Sequence, residues 1–210
     1  MAFDDTIAPF RRIPWTTRLL NQPDIVTCVP TSRQPKASTE DSFYAEILKT
    51  PRTIRSCIAI YRKPAREEDP IEEVTTLYKV GDGMNGHPEI IHGGVTATLI
   101  DESMGILQSI NKDRIHMRNV QAGKADGEIP PEGLSAFTAY LNVKYLKPVR
   151  TPGAIAVVAK RVKKEGRKEF LFAELKQCHD AGEDDEGEIV VCASGESLFV
   201  TPKNQPGSKL

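Results

Sequence analysis

The chain of 210 residues lacks the features that mark several whole classes of protein. Its net charge is −1, with 28 basic and 29 acidic residues, so the charge balance gives no indication of nucleic-acid binding. No run of apolar residues approaches the ~20 that a membrane-spanning helix needs. Repeats and low-complexity tracts are absent as well. The sequence therefore predicts one globular domain of ordinary size, which neither binds nucleic acid nor spans a membrane.

The N-terminus also lacks the marks of an export signal, because Asp4 and Asp5 stand at its start and no apolar h-region follows. Cysteine is scarce, and its positions show no CxxC pair and no metal-ligand spacing: Cys28, Cys57, Cys178 and Cys192. We interpret the cysteines as small buried apolar residues in a reducing compartment. We therefore predict no metal site and no cofactor.

The C-terminus, in contrast, carries an informative tripeptide. The last three residues are Ser208-Lys209-Leu210, and Ser-Lys-Leu at a C-terminus is the address read by the peroxisomal import receptor. The preceding residues, TPKNQPG, are rich in Pro, Gly and polar side chains, and such a tail is expected to be flexible and accessible. A chance tripeptide is the alternative, but the setting favours peroxisomal localisation and a contact with that receptor.

Hydrophobic patterning predicts a domain at residues 51–203, between an N-terminal extension (1–50) and a tail (204–210). We expect the extension to pack on the domain without forming its core. A short helix is predicted at 42–49, and one principal helix begins at residue 92. A polar segment without periodicity, 111–133, is interpreted as a long loop.

Six segments have the composition of β-strands, namely 52–62, 73–80, 135–146, 154–162, 168–178 and 188–200. In the first of them, Ile54, Ile58 and Ile60 are expected to share one face. The order of two strands, one long helix and four strands predicts an α+β fold with a single antiparallel sheet.

The helix begins with an unusual sequence, HGGVTATLIDESMG (92–105), which has two glycines at its start and two acids among apolar residues. At ~100° per residue, Asp101 falls on a side formed by small residues and therefore lies in a shallow groove that could admit a ligand. A capped or solvent-facing acid is the alternative for Asp101. Glu102 points into the apolar arc, and we favour a structural role for it, such as a hydrogen bond or an ion pair at a subunit contact.

Gly93 and Gly94 leave the helix N-terminus without side chains. The first N–H groups of a helix have no partner within the helix and carry partial positive charge, so a carbonyl oxygen could bind there. This arrangement is typical of an oxyanion-type site. A tight turn with close packing explains the glycines equally well.

These residues resemble the hotdog-fold acyl-CoA thioesterases of the PaaI and THEM4-like type. The signature of that family is His-Gly-Gly followed by an acid nine positions after the histidine, as in His92-Gly93-Gly94 and Asp101. The segments TAYLNVKYLKPV (138–149) and KKEGRKEFLFAEL (163–175) are similar to the next strand and to a hairpin of that family. The resemblance covers roughly residues 50 to 200.

The resemblance implies a hotdog fold, in which one long central helix is wrapped by a curved antiparallel sheet of about six strands. It implies hydrolysis of an acyl-CoA thioester, with Asp101 as general base or nucleophile and the Gly93 and Gly94 amides polarising the carbonyl. His92 would orient the loop near the thioester. Thr138 would help to place the water and would come from the partner subunit of a homodimer or tetramer with shared active sites.

The resemblance also implies that coenzyme A is bound as part of the substrate, by basic residues at strand ends and turns. The residues that we expect to bind substrate are His92, Asn85, Gly105, Arg150, Arg167 and Lys168, with Lys164 as a further candidate. The long 111–133 segment and the extension depart from the family pattern. These departures leave open an alternative, a non-hydrolytic hotdog protein that binds or tailors an acyl or natural-product intermediate.

Overall fold

The computed structural model describes residues 3–127, 136–179 and 187–203. Within these ranges, seven strands form one antiparallel sheet and two short strands form a separate hairpin. The strands of the sheet are β1 (Ile25–Cys28), β2 (Ile54–Arg62), β3 (Glu73–Val80), β6 (Phe137–Tyr145), β7 (Gly153–Glu165), β8 (Lys168–His179) and β9 (Glu188–Val200). The hairpin strands are β4 (Asn85–His87) and β5 (Ile90–Ile91).

One long helix, α3 (Gly93–Gln121), lies against this sheet. The strand order is β1-β2-β3-β7-β8-β9-β6, and α3 contacts β3, β6, β7, β8 and β9, so the sheet wraps around the helix. The predicted α+β architecture is confirmed, including the six predicted strands. A seventh strand, β1, comes from the N-terminal extension, where the sequence had not indicated one.

The main core lies between α3 and the sheet. Leu99, Ile100, Met104 and Leu107 of the helix have no exposed surface. The sheet approaches the helix closely at Gly195 of β9, where an added β-carbon would lie 2.6 Å from Cγ2 of Ile100. A side chain at this position would therefore push the helix away from the sheet.

The N-terminal extension covers the opposite face of the sheet with two helices, α1 (Phe3–Arg11) and α2 (Pro14–Leu20). Phe10 and Trp15 are buried there against Ile58 and Leu77 of β2 and β3. The extension thus contributes its own apolar cluster and an edge strand. Tyr44 and Leu48 of the extension also belong to the main core. The expectation that the extension packs on the domain without forming its core is therefore wrong.

The expected shared face of Ile54, Ile58 and Ile60 is wrong for Ile54. The pairing of β2 with β3 shifts register between Ile54 and Ser56, as at a β-bulge. A bulge reverses the alternation of side chains. Ile54 consequently joins the main core under α3, whereas Ile58 and Ile60 pack under the N-terminal helices.

The predicted loop at 111–133 is wrong over its first part, because α3 continues to Gln121. Polar side chains of this part of the helix bind the backbone of the β2–β3 loop instead of forming an apolar stripe. The Asn111 amide exchanges two hydrogen bonds with the backbone of Ile71, and Arg114 donates to the carbonyls of Asp69 and Glu67. The helix therefore has no hydrophobic period here.

The remaining expectations concern short segments. The predicted helix at 42–49 is a turn of π-helix, Phe43–Ile47. Cys57 and Cys192 are buried, as expected, whereas Cys28 and Cys178 are only partly buried. The last part of the 111–133 segment and the tail with Ser208-Lys209-Leu210 lie outside the described residues.

Candidate active site

The entrance of α3 is capped by a side chain. His92 is the N-cap residue, and its Nδ1 accepts a hydrogen bond of 3.0 Å from the backbone N–H of Gly94. The N–H groups of Val95 and Thr96 donate to the carbonyl of His92. Among the described residues, no acceptor lies within hydrogen-bond distance of the Gly93 N–H. The expectation that both glycine amides are open to a carbonyl is therefore wrong for Gly94, since His92 already occupies its N–H group.

Tyr145, at the end of β6, lies beside this helix N-terminus. Its hydroxyl donates a hydrogen bond of 2.9 Å to the carbonyl of Gly93. A β-carbon added to Gly93 would lie 3.5 Å from the Tyr145 ring, an ordinary contact distance. The missing side chain at Gly93 is therefore not required by packing within this chain, which favours a role in exposing the amide.

Asp101 lies two turns further along α3 and is partly buried. Thr138 of β6 donates a hydrogen bond of 2.9 Å to Oδ1 of Asp101. Burial raises the pKa of Asp101, and the Thr138 hydrogen bond acts in the opposite direction. The resemblance implied that this threonine would come from a partner subunit, but here the contact forms within one chain.

A cavity of about 390 Å³ opens along the side of α3 that carries Asp101. Gly105 lines it one turn beyond Asp101, and a β-carbon on Gly105 would meet nothing within 4 Å. The groove of small residues predicted beside Asp101 thus corresponds to real space. The cavity walls also include Phe199 and Thr201 of the β9 end, and Ser32 and Asp41 of the N-terminal extension.

Gly93 and Gly94 do not line this cavity within the described part of the chain. Asp101 follows Gly93 by eight residues, a separation of about 12 Å along the helix axis at ~1.5 Å per residue. An oxyanion donor and a nucleophile each lie only ~3 Å from the reacting group. The glycine amide and the carboxylate of one chain therefore do not border one common site. The expectation that they do is wrong for a single chain.

The expected coenzyme A-binding residues are dispersed. Lys164 lines the cavity, and Arg167 donates a 2.6 Å hydrogen bond to the carbonyl of Thr201, a cavity residue. Lys168 is exposed at the start of β8, outside the lining. Arg150 is also outside it, and its backbone exchanges hydrogen bonds with the Gln177 amide.

Asn85 is likewise separate from the cavity, since it lies on the β4–β5 hairpin and accepts a hydrogen bond from the hydroxyl of Thr151. Of the expected substrate-binding residues, the structure therefore brings Gly105 to Asp101, and Lys164 to the same cavity. It leaves His92, Asn85, Arg150 and Lys168 outside the lining, and Arg167 reaches the cavity wall only through Thr201.

The cavity also contains a charged pair that sequence reasoning missed. Nε of Arg161 lies 2.6 Å from Oε1 of Glu169, and the Gln108 amide donates to the other oxygen of Glu169 at 2.8 Å. Both charged side chains are nearly buried, at 12% and 10% exposure. Opposite charges on either side of a predicted hairpin turn were the available signal. This pair gives the cavity floor a fixed polar surface.

Glu102 lines the same cavity, and its partner is Ser32 of the extension. The Ser32 hydroxyl donates a hydrogen bond of 2.5 Å to Oε1 of Glu102. Burial raises the pKa of Glu102 to about 7, while this hydrogen bond lowers it. The structural contact favoured for Glu102 therefore exists, but it forms within the chain and at the edge of the cavity. No sequence signal linked two residues 70 positions apart.

Two negative findings apply to the described residues alone. No group of three or more His, Cys, Asp or Glu side chains is arranged to hold a metal ion. No helix among them is both long and apolar enough to cross a membrane.

Comparison with known proteins places these features in context. No protein-family model matches the chain. The chain is 29% identical over 143 residues to verlamelin biosynthesis protein B from Lecanicillium, a match that covers 57% of this chain and 58% of that protein. The match thus spans a little over half the length of this curated relative.

Two solved structures are similar to part of this chain. The BH2602 protein from Bacillus halodurans, solved with CoA, is 25% identical with a TM-score of 0.43, covering 63% of this chain and 70% of that one. An acyl-CoA hydrolase from Staphylococcus aureus, in complex with butyryl coenzyme A, is 16% identical with a TM-score of 0.46, covering 63% and 66%. The strand order and the single wrapped helix decide the architecture. This chain has the hotdog fold. Within this hotdog fold, Asp101 lies in the N-terminal half of the central helix and faces the cavity.

Proposed function

We propose that this hotdog protein is an acyl-CoA thioesterase, which hydrolyses a thioester to a carboxylic acid and coenzyme A. The observation that carries the proposal is the placement of Asp101, a partly buried carboxylate of raised pKa that faces a cavity and is held by Thr138. A carboxylate of raised pKa is a better base near neutral pH. The open space beside Gly105 leaves room for a water molecule and the acyl group.

In the proposed reaction, Asp101 accepts a proton from water as the water oxygen attacks the thioester carbon. The carbon–sulfur bond then breaks, and the proton passes from Asp101 to the departing thiolate. Because the thiolate is a good leaving group, one base and one polarised carbonyl suffice. Direct attack by Asp101 on the thioester, followed by hydrolysis of the anhydride, is the second route open to the same carboxylate.

The oxyanion donor, in this proposal, comes from a second copy of the chain. The Gly93 amide does not border the Asp101 cavity of its own chain, so one site would combine Gly93 of one copy with Asp101 of the other. The edge strand β6 supports such pairing, because it ends the sheet and exposes Phe137, Tyr140 and Tyr145. An edge strand with exposed aromatic side chains is typical of a surface that pairs with another strand.

Lys164 and the neighbouring Arg167 and Lys168 form a basic turn between β7 and β8 beside the cavity. We assign this turn to the phosphates of coenzyme A, since Lys and Arg bind phosphate oxygens well. We further propose that the chain acts in peroxisomes, on the basis of the Ser208-Lys209-Leu210 terminus.

The test is thiol release from a panel of acyl-CoA esters. Asp101→Asn and Asp101→Ala are expected to lower kcat by roughly 10²–10⁴-fold, the contribution of general-base catalysis. Asp113→Asn is the matched control: Asp113 is another partly buried aspartate of α3 whose pKa is raised by burial, and it lies outside the Asp101 cavity. Equal thiol release by wild type and Asp101→Asn would refute the catalytic assignment.

A second candidate function is non-hydrolytic, namely binding or tailoring of an acyl intermediate in natural-product biosynthesis. It is supported by the similarity to verlamelin biosynthesis protein B and by the occupied amide of Gly94, which leaves a single glycine donor. Tight acyl-CoA binding without thiol release by the wild-type chain would favour this candidate over hydrolysis.

A further inference from the structure

The N-terminal extension forms one wall of the Asp101 cavity, and its position there is rigidly determined. Arg33 is buried at 3% exposure and donates to the carbonyls of Tyr44 and Ile54 at 2.6 and 2.8 Å. The Tyr44 hydroxyl in turn donates to the carbonyl of Thr98 on α3 at 2.8 Å. Ser32 directly precedes Arg33, so these bonds hold Ser32 against the helix.

Ser32 and Glu102 form a polar pair on this wall. The Ser32 hydroxyl donates to Oε1 of Glu102, and among the described residues no other hydrogen bond reaches the Glu102 carboxyl group. Both residues line the cavity, so Oε2 of Glu102 remains for a ligand. Because the pKa of Glu102 is raised to about 7, its carboxyl group can donate or accept a hydrogen bond near neutral pH.

The cavity wall formed by α3 is also mostly polar beyond Glu102. Beyond Glu102, the cavity is lined on α3 by Gln108, Ser109, Asn111 and Lys112, with Ile106 and Ile115 as the apolar members. An unsubstituted alkyl chain would remove the Ser32–Glu102 pair from water without replacing its hydrogen bonds, which is unfavourable. An oxygen-bearing acyl chain would replace them.

We propose that the Ser32–Glu102 pair recognises an oxygen on the acyl group, so that the preferred substrate is a hydroxyacyl or oxoacyl thioester. Asp101 and Glu102 are consecutive residues whose side chains enter one cavity, which places this oxygen within a few carbons of the thioester. The proposal rests on the acyl-CoA substrate assigned above and adds the chemical class of its acyl group. The extension, which holds Ser32, then determines specificity.

The test separates recognition from turnover. Dissociation constants are measured by calorimetry for hexanoyl-CoA, 3-hydroxyhexanoyl-CoA and 6-hydroxyhexanoyl-CoA, using full-length chain with Asp101→Asn so that no ester is consumed. We expect 3-hydroxyhexanoyl-CoA, whose hydroxyl lies near the thioester, to bind roughly tenfold or more tightly than hexanoyl-CoA and more tightly than 6-hydroxyhexanoyl-CoA. Ser32→Ala and Glu102→Leu are each introduced into the Asp101→Asn chain. In each double variant, the preference for the hydroxylated ester over hexanoyl-CoA should fall below about threefold.

Ser38→Ala is the matched control, since Ser38 is an exposed serine of the same segment outside the cavity, and it should leave the preference unchanged. Equal binding of all three esters, or a preference that survives Ser32→Ala, would overturn the inference. Thiol release by the wild-type chain is followed in parallel. Preferential binding without thiol release would refute hydrolysis alone, whereas thiol release without preferential binding would refute the recognition alone.

Discussion

The hydroxyl of Thr138 donates a hydrogen bond of 2.9 Å to Oδ1 of Asp101 and so joins strand β6 to the N-terminal half of the central helix. Burial favours the neutral form of this carboxyl group, whereas the hydrogen bond favours the charged form. The balance between them sets the pH at which Asp101 becomes a base.

Replacing Thr138 should therefore change the pH dependence as well as the rate. In Thr138→Ala, the lost hydrogen bond leaves burial unopposed, so the pKa of Asp101 rises further. The acid limb of the kcat/KM profile should move to higher pH, and kcat should fall roughly tenfold. Thr138→Ser, which keeps the hydroxyl, should restore the wild-type profile. An unchanged profile in Thr138→Ala would show that this hydrogen bond has no part in the reaction.

A shared site predicts complementation between two inactive chains. Gly93→Pro removes the N–H group at the first helical position, where proline is tolerated, and His92 already has the extended backbone that a following proline requires. The Gly93→Pro chain is mixed in equal amounts with the Asp101→Asn chain, and the subunits are allowed to exchange. The mixture should recover roughly a quarter of wild-type thiol release, because half of the dimers then contain both variants and each of these has one intact site of its two.

Gly93→Ala keeps the N–H group and is the control for the backbone change. Its β-carbon meets only the Tyr145 ring at an ordinary distance, so it should fold normally. If the mixture of Gly93→Pro and Asp101→Asn stays inactive after exchange has been verified, the two groups do not act across subunits.

Edge strand β6 predicts an oligomer that a single charge can disrupt. Tyr140 is 43% exposed on this strand, and Tyr140→Lys should place a charge in the interface and convert a dimer into monomers. Ile47→Lys is the matched control, since Ile47 is 64% exposed and belongs to the π-helical turn and not to β6. Sedimentation measures both variants, and dimers that persist in Tyr140→Lys contradict the assigned interface.

Glu102 should make the stability of the fold depend on pH. Its pKa is raised from 4.5 to about 7 by burial, so the folded state binds more protons than the unfolded state between these values. The contribution is favourable below pH 4.5 and is lost as the pH rises through about 7. The charged groups that act on this carboxyl are Asp41, Arg33 and Asp101.

Glu102→Gln removes this titration and keeps a polar side chain that can bond to Ser32. Relative to wild type, it should gain on the order of 1–3 kcal/mol in free energy of unfolding between pH 4.5 and 8. Urea denaturation at several pH values measures the difference. A constant difference across this range would mean that Glu102 does not titrate there.

The C-terminal tripeptide predicts where the protein is found. A fluorescent fusion at the N-terminus should appear in peroxisomal puncta, and deletion of Ser208-Lys209-Leu210 should disperse it, because the import receptor reads this terminus. A diffuse signal from the intact chain would exclude the proposed address.

The positions of six strands along the chain and the start of the helix were predictable because each depends on local patterning. The strand predicted at 168–178 is observed as Lys168–His179. The helix was predicted too short because residues 111–121 use polar side chains, such as Arg114, to bind a distant loop. Strand β1 was missed because its four residues form an edge strand whose partners lie more than thirty positions away.

The amino-acid sequence determined where the long helix begins, the two glycines at its start and the position of Asp101 on a side of small residues, since these follow from the local sequence and from helical periodicity. Tertiary structure alone decided that Thr138 donates to Asp101 within one chain and that Ser32 meets Glu102. The physical reason is that periodicity reports which face of an element is buried. Hydrogen bonds between side chains depend instead on where distant segments meet after folding.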